Sequence, residues 1–149
     1  MPELNYDLHI HSCLSPCGDD DMTPANIVGM AVIKGLDLIA VTDHNSCKNC
    51  PAVLTMADAY GLTALPGMEL TTSEEVHVVC LFADLKDALA FDEYVYSRLM
   101  PIPNNEKIFG KQQLYNADDE VIGTIPNLLI NATRSEEHTS ELQSPRYLV

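Results

Sequence analysis

The sequence predicts an α/β fold in which mainly parallel strands alternate with outer helices. Along most of the chain, strand-like and helix-like segments follow the order strand, helix, strand, helix, strand, strand, helix. This order is typical of βαβ units. In addition, every histidine of the first 133 residues lies at the end of a predicted strand or beside one. Folds of this class gather their chemistry at the carboxyl ends of the strands.

The strands follow from apolar patterning. LNYDLHIH alternates apolar and polar residues, as a half-buried strand does. LDLIAVTDH is a near-continuous apolar run, as expected of a strand that is buried on both faces of a parallel sheet. Two shorter runs, LTALPGMEL and VHVVCLFA, predict the third and fourth strands.

The helices follow from capping signals. Thr23 and Pro24 predict the start of a helix that ends at Gly35. Pro51 opens a second helix, PAVLTMADAY, which a glycine follows in the usual terminating position. Asp84 caps a longer third helix. Its predicted apolar stripe consists of Leu85, Leu89, Tyr96 and Leu99.

The pattern is weaker beyond the third helix. PIPNNEK reads as a linker, and KQQLYNADDEVIG predicts a hairpin with an Asn-Ala-Asp-Asp turn. NLLINAT resembles a further strand.

Composition limits the class of protein. The chain has 149 residues, of which 46% are hydrophobic and 20% charged, which is enough for one domain with a sizeable core. The net charge of −14 argues against a basic surface that grips nucleic acid, although bound metal ions could supply positive charge locally. We see neither a membrane span nor a secretory signal. We therefore expect a cytoplasmic protein whose five cysteines are reduced thiols or metal ligands.

The last sixteen residues, 134–149, differ in character from the rest. The segment RSEEHTSELQS is polar and has no helical or strand period, as a solvated tail would. It also matches, residue for residue, the in-frame translation of a widely used short-read sequencing adapter. We therefore predict that residues 134–149 are a non-native tail and that the genuine domain, residues 1–133, is cut off before its closing strands.

The strongest chemical signal lies in the first strand. Residues two apart on a strand share a face, so Asp7, His9 and His11 point the same way. Two imidazoles at this spacing can bind one cation, and imidazole suits zinc, iron and manganese. An H-x-H pattern alone could equally be a polar strand face.

The following strands strengthen the metal interpretation. His44 ends a buried apolar strand, where an unpaired imidazole would be costly. Glu69 lies near the end of the third strand, where a carboxylate can bridge two cations, and His77 belongs to the fourth. An acidic loop, Asp19 to Asp21, follows the first strand and could alternatively be a solvated turn.

These motifs together resemble the PHP family, named for polymerase and histidinol phosphatase. The matching segments are DLHIHSCLSPCGDDDMTP, AVTDHN, PGMELTT and HVVCLF, and the resemblance covers roughly Tyr6 to Thr133. It implies a distorted (β/α)₇ barrel that holds up to three divalent ions (manganese, zinc or iron) and hydrolyses phosphate esters. Transferred by position, the implied metal ligands are His9, His11, Asp19, His44, Glu69 as the bridging carboxylate, and His77.

The resemblance assigns further roles and also has a gap. Asp43 is a candidate for the catalytic machinery beside Glu69, and Asp43 and Asp7 are candidates for orienting imidazole N–H groups. The family draws its last ligands from later strands, as a histidine or cysteine and then an Asp-x-His, and neither is present before Thr133. The fragment itself is therefore expected to be inactive, and function is inferred for the parent protein.

The loop cysteines suggest a second metal cluster. Cys13 and Cys17 follow the first strand, and Cys47 and Cys50 follow the second. If the two loops are neighbours, the four thiols could form a tetrathiolate zinc or iron–sulfur site. They could equally be unrelated small residues, and Cys80 reads as a buried small hydrophobe.

The leading functional hypothesis is a phosphoesterase that uses a metal-activated water on nucleotides or on oligonucleotide 5′ ends. No P-loop and no G-x-G-x-x-G motif is present. The first alternative is a small-molecule phosphatase of the histidinol phosphatase type. A second is a non-catalytic PHP module of a DNA polymerase, and a third is a metal or redox sensor built on the cysteines.

Overall fold

The computed structural model describes residues 2–134 and 147–148. A five-stranded sheet has the strand order β1-β2-β3-β4-β7, and β5 and β6 form a separate pair. This arrangement of sheet and helices confirms the predicted α/β class. In chain order the elements are β1 (Tyr6–Ile10), α1 (Pro24–Ile33), β2 (Leu38–Val41), α2 (Cys50–Ala59), β3 (Thr63–Thr71), β4 (His77–Phe82), α3 (Leu85–Arg98), α4 (Glu106–Phe109), β5 (Gln113–Tyr115), β6 (Val121–Thr124) and β7 (Tyr147–Leu148).

The first three strands are parallel, as predicted. Leu38 of β2 lies opposite Tyr6 of β1 and Thr63 of β3, and helices α1 and α2 connect the strands. The predicted start of α1 is confirmed, because the Thr23 hydroxyl accepts a hydrogen bond from the Asn26 N–H. Both helices pack on the parallel sheet. The apolar cluster between them consists of Ile27, Val28, Ala31, Ile39, Val41, Val53, Ala57 and Leu62.

Strand β4 departs from the mainly parallel expectation, because it runs antiparallel to β3. Residues 72–76 form a tight turn, closed by a hydrogen bond from the Thr72 N–H to the Val76 carbonyl. A turn this short cannot make the crossover that a parallel pair requires. As a result His77, the first residue of β4, lies opposite Thr71 at the end of the sheet where β3 finishes.

Helix α3 covers the β3–β4 pair. Its N-cap is the predicted Asp84, which accepts a hydrogen bond from the Asp87 N–H. The predicted apolar stripe was wrong at Leu89, which is 37% exposed. The buried face instead carries Ala88, Phe91 and Val95, which pack with residues of β3 and β4.

The region after α3 forms a second layer on the β1–α1 loop. The predicted hairpin is confirmed as β5 and β6. The predicted strand NLLINAT is wrong, because within it only Asn127 and Thr133 make isolated bridges. Buried amide side chains bind its backbone instead: Asn45 donates to the Leu129 and Asn131 carbonyls, and Gln112 accepts from the Leu129 N–H.

Most of the predicted non-native tail, residues 134–149, lies outside the described residues. Within it, Tyr147 and Leu148 pair antiparallel with Phe82 and Leu81 of β4. The proposed boundary at residue 133 stays a prediction. None of the helices in the described part of the chain is both long and apolar enough to cross a bilayer.

Candidate metal centre

A buried carboxylate, Glu69, lies at the centre of a cluster of imidazoles at one end of the sheet. Its Oε2 atom lies 2.8 Å from His9 Nε2 and 2.6 Å from His11 Nε2. Its Oε1 atom lies 2.8 Å from His77 Nδ1. His44 Nε2 is 3.9 Å from Oε2. We call these five residues the histidine–glutamate cluster.

The strand arrangement explains why these five side chains meet. His9 and His11 lie two residues apart, and both reach Glu69 from the same face of β1, as predicted. His44 follows β2 and forms an isolated parallel bridge with Glu69 of β3. His77 joins them only because β4 is antiparallel, since a parallel β4 would begin at the opposite end of the sheet.

His44 is the most deeply buried of the four imidazoles. Its ring centroid lies 4.6 Å from that of His11 and 5.6 Å from that of His77. Its Nδ1 atom is buried and has no hydrogen-bond partner. Burial lowers the pKa of His44 to about 4, so the ring is neutral at pH 7 and carries a free lone pair. A buried, neutral, unpartnered imidazole has the properties of a metal ligand.

Glu69 is ionised at neutral pH despite its burial. Burial raises its pKa, but hydrogen bonds from His9 and His77 outweigh that effect and lower the pKa to about 2. The cluster therefore contains a fixed negative charge at its centre. A divalent cation would be attracted to that charge.

Candidate ligand atoms fall into three overlapping groups within the described part of the chain. In each group, one ligand atom per residue lies within 4.8 Å of the others. The groups are His9, His11 and Glu69; His44, Glu69 and His77; and His11, Cys17 and His44. Glu69 is shared by two of them, as a bridging carboxylate would be. Imidazoles with a carboxylate suit divalent transition-metal ions, so these residues fit bound metal.

The family model for the PHP domain matches residues 7–140, which is most of the chain. The chain belongs to the PHP domain family. The resemblance inferred from the four sequence motifs is thereby confirmed. The match runs to residue 140, into the segment predicted to be non-native.

Relatives of this PHP chain include named enzymes. It is 34% identical over 85 residues to the 5′-3′ exoribonuclease Rnm of Salmonella typhimurium. That alignment covers 54% of this chain and 28% of the exoribonuclease. It is 32% identical over 83 residues to a 3′,5′-nucleoside bisphosphate phosphatase of Chromobacterium violaceum, again 54% of this chain and 28% of that protein. The chain spans between 28% and 59% of the length of the curated relatives it matches.

A solved structure shares the fold. A candidate metal-dependent phosphoesterase of Bifidobacterium adolescentis aligns with a TM-score of 0.52 and 24% identity. The alignment covers 65% of this chain and 34% of that protein. About two thirds of this chain therefore shares its fold with part of an experimental structure.

Asp19, another predicted ligand of the PHP site, lies beside the cluster and not within it. A cleft of about 490 Å³ is lined by Asp7, His9, His11, Cys17 and Asp19, among others. The Asp19 carboxylate accepts a hydrogen bond from the Asp21 N–H in its own loop. Among the described residues, none of the close ligand groups includes Asp19. Its role as a ligand stays a prediction.

The hydrogen-bond partners of Asp43 are not the imidazole N–H groups expected from the sequence, and its place in the catalytic machinery stays a prediction. Its carboxylate accepts hydrogen bonds at 2.7 Å from the Ser12 N–H, the Ser12 hydroxyl and the Ser15 hydroxyl. These partners are loop groups rather than an imidazole N–H, because Asp43 points under the β1–α1 loop. Burial raises its pKa. These bonds fix the loop against the end of β2.

Asp7 also bonds a backbone group, and its role in orienting an imidazole N–H stays a prediction. Its carboxylate accepts a hydrogen bond from the His9 backbone N–H at 3.1 Å, not from a ring nitrogen. It therefore stabilises the strand on which His9 lies, and it lines the cleft.

The structure does not bring the four loop cysteines together. No three of them have sulfur atoms within 4.8 Å of one another in the described part of the chain. The Cys47 and Cys50 thiols lie in the core near the Gly67 carbonyl, and the Cys13 thiol lies 3.9 Å from the Gln113 carbonyl. The Cys17 thiol lies 2.9 Å from His11 Nδ1. The tetrathiolate arrangement is therefore not assembled.

Sequence reasoning missed two buried asparagines that position the site. The Asn45 side-chain oxygen accepts a hydrogen bond from the Thr71 N–H, and its backbone N–H donates to the Glu69 carbonyl. Asn45 has φ of 50°, a conformation that asparagine tolerates better than most residues. Asn49 donates to the Ser12 hydroxyl. Their signal was the polar run directly after a buried strand.

Proposed function

We propose that this protein is a metal-dependent phosphoesterase that hydrolyses phosphate esters of nucleotides or of oligonucleotide 5′ ends. The observation that carries the proposal is the position of Glu69, shared between two groups of candidate ligands. A carboxylate in this position can hold two cations close together, as two-metal phosphoesterase sites require.

Two groups of residues would each hold one cation. His9 and His11 would hold one cation with Glu69, and His44 and His77 would hold another with the same carboxylate. Manganese, zinc and iron are the metals that suit this donor set. When bound, such cations lower the pKa of a coordinated water and neutralise the charge of a phosphate. A third ion of the complete site would need ligands in addition to these two groups.

The surroundings of the cluster also suit a phosphate ester. The side chains of His9 and His77 are 52% and 48% exposed, so the cluster is reached from solvent through the adjoining cleft. The chain carries a net charge of −14, so metal ions are needed to attract an anionic substrate. Relatives named as an exoribonuclease and as a nucleoside bisphosphate phosphatase support the nucleotide class.

We further propose that residues 1–133 are the first part of the PHP domain and that residues 134–149 are non-native. The remaining ligands would then be encoded beyond Thr133 in the uninterrupted gene. Sequence reads across the junction should lose similarity to the genome at a single nucleotide. Long reads that encode RSEEHTSELQS in continuous genomic context would contradict this proposal.

The functional test uses both forms of the protein. The 149-residue chain is loaded with manganese, zinc or ferrous iron, and bound metal is counted by elemental analysis. Hydrolysis is then measured on the uninterrupted gene product with a nucleoside 3′,5′-bisphosphate, a 5′-phosphorylated oligonucleotide and histidinol phosphate. We expect at least two ions per complete protein and turnover of a nucleotide substrate.

Two glutamate-to-glutamine variants test the role of Glu69, one at Glu69 itself and a matched control at Glu93. Glu69→Gln should reduce turnover by orders of magnitude, because loss of the shared charge disturbs two ions together. Glu93→Gln, on the exposed face of α3, should leave both metal and turnover unchanged. Preferential turnover of histidinol phosphate would reassign the substrate. Metal bound without any turnover would favour a non-catalytic module.

A further inference from the structure

One cysteine lies against the histidine–glutamate cluster. The Cys17 thiol lies 2.9 Å from His11 Nδ1, and Cys17 is the exposed one among the five cysteines, which are all within the described residues. Ligand atoms of His11, Cys17 and His44 lie within 4.8 Å of one another. The cysteine is therefore close enough to share a cation with an imidazole of the cluster.

The second observation concerns His44. The residue is 5% exposed, yet its buried Nδ1 atom has no hydrogen-bond partner. Leaving such an atom unpaired is energetically unfavourable. His44 therefore keeps ring-nitrogen capacity that no protein group uses, and one of its ring nitrogens lies within 4.8 Å of the Cys17 sulfur.

We propose that Cys17 is a metal ligand and that it shares a cation with His44. This proposal rests on the metal binding of the proposed function. The loop after β1 would then supply the Cys17 sulfur as a ligand, whereas the sequence suggested the Asp19 carboxylate. When the Cys17–metal bond forms, the thiol proton is released to solvent and the sulfur binds as a thiolate.

The loop is built to present this sulfur. Ser12 and Ser15 are anchored to Asp43, and the Gly18 N–H donates to the Ser15 carbonyl at 2.8 Å. A Cβ atom at Gly18 would lie 2.1 Å from the Ser12 carbonyl oxygen, so the turn accepts only glycine there. Cys17 is thus held between two fixed positions of the loop.

The competing role is that of a positioning residue. The Cys17 sulfur could accept a hydrogen bond from His11 Nδ1–H and orient that ring without touching metal. The two roles differ in a measurable property, because only a bound thiolate gives charge-transfer absorption with a transition metal. They also differ in metal preference, since thiolate favours zinc, ferrous iron and cobalt over manganese and magnesium.

The experiment titrates the metal-free 149-residue chain with cobalt(II). We expect a thiolate-to-cobalt charge-transfer band in the near ultraviolet for the wild-type chain and for Cys13→Ser. Cys13 belongs to the same loop but faces the Gln113 carbonyl, so it is the matched control. In Cys17→Ser the band should be absent. Cobalt affinity should fall by more than the roughly 10- to 100-fold that loss of an outer-shell partner costs.

A second variant separates loss of a ligand from loss of sulfur. Cys17→Asp should restore the number of bound ions without the charge-transfer band and should raise the affinity for manganese relative to zinc. Circular dichroism checks that each variant keeps the wild-type fold. We expect the Cys17 variants to fold normally, because Cys17 is exposed.

The outcomes distinguish this inference from the proposed function. Cobalt binding without a charge-transfer band, or a band that persists in Cys17→Ser, would overturn the Cys17 assignment and leave the histidine–glutamate metal site intact. Failure of the wild-type chain to bind any cobalt, zinc or manganese would overturn both.

Discussion

Two polar clusters lie next to each other at the carboxyl ends of β1 to β3, and the protein itself satisfies only one of them. In the Asp43 cluster, formed by Asp43, Ser12, Ser15 and Asn49, the carboxylate receives three hydrogen bonds at 2.7 Å. In the histidine–glutamate cluster, Oε2 of Glu69 lies close to two imidazole nitrogens that are themselves 3.2 Å apart. All the hydrogen bonds of the Asp43 carboxylate come from protein groups. In the histidine–glutamate cluster, by contrast, two imidazoles share one carboxylate oxygen and His44 Nδ1 has no partner.

The difference separates architecture from function. Buried polar groups that are fully hydrogen-bonded hold a fold in one conformation. An imidazole with an unpaired nitrogen, such as His44, keeps the capacity to bind a ligand. The Asp43 cluster should therefore control stability, and the histidine–glutamate cluster should control metal binding.

The largest expected effect is the loss of metal-dependent stabilisation in Glu69→Gln. A ligand present at one hundred times its Kd stabilises a folded protein by about 2.7 kcal/mol. We expect zinc to raise the midpoint of urea unfolding of the wild-type chain and to leave that of the variant unchanged. Without metal, the variant should also lose the stabilisation that the ionised carboxylate gives at neutral pH, because the pKa of Glu69 is lowered in the folded protein. The test is therefore the shift that zinc causes in each protein, and an equal zinc shift in the variant would show that Glu69 does not hold the metal.

The next effect is the destabilisation of the metal-free protein by Asp43→Asn. The Ser12 hydroxyl already donates to Asp43 and accepts from the Leu14 N–H and the Asn49 amide. A new amide donor at position 43 would find no acceptor there. We expect the free energy of unfolding to fall by about 1–3 kcal/mol, as measured in urea.

The control for Asp43 is Asp37→Asn. Asp37 is exposed, and its carboxylate accepts a single hydrogen bond from the Asn5 N–H. This variant should stay within about 0.5 kcal/mol of the wild type. An equal loss of unfolding free energy in the two variants would show that the Asp43 network stabilises the fold no more than one exposed hydrogen bond does.

Much of the histidine–glutamate cluster could be predicted from sequence, because strand periodicity places His9 and His11 on one face and Glu69 near the end of β3. The direction of β4 was missed, although it is what brings His77 to the cluster. The direction could have been read from the shortness of the turn between β3 and β4.

Side-chain direction in the loops could not be predicted. The cysteine spacing placed four thiols in two loops at one end of the sheet, but the local turns send Cys47 and Cys50 into the core. Likewise, NLLINAT has a strand-like composition, yet its backbone pairs with the side chains of Asn45 and Gln112. Such pairings depend on residues distant in sequence, which no local pattern records.

A further difference between the clusters should appear on acidification of the metal-free protein. The folded-state pKa of His44 is about 4, below its ordinary value of 6.5, so the unfolded chain binds this proton first. Stability should fall as pH decreases from 6.5 to 4. Glu69, with a pKa of about 2 against 4.5, should add a second loss from pH 4.5 downwards.

Unfolding by urea at a series of pH values measures both losses. In His44→Asn the decline between pH 6.5 and 4 should be reduced, whereas the loss below pH 4.5 should remain. A decline that is identical in the variant would contradict the assignment of the upper range to His44.

The smallest expected effect concerns Ser15, which joins the two clusters. Its hydroxyl donates to Asp43 at 2.7 Å and accepts from the His44 backbone N–H at 3.0 Å. Ser15→Ala should cost about 1 kcal/mol in urea unfolding, because the His44 N–H loses its acceptor while Asp43 keeps both bonds from Ser12. Cobalt affinity should fall less than tenfold, since the backbone bond from Asn45 to Glu69 still holds the His44 segment against β3. Complete loss of cobalt binding in Ser15→Ala would show that the two clusters act as a single unit, because the connection through Ser15 would then matter as much as Glu69 itself.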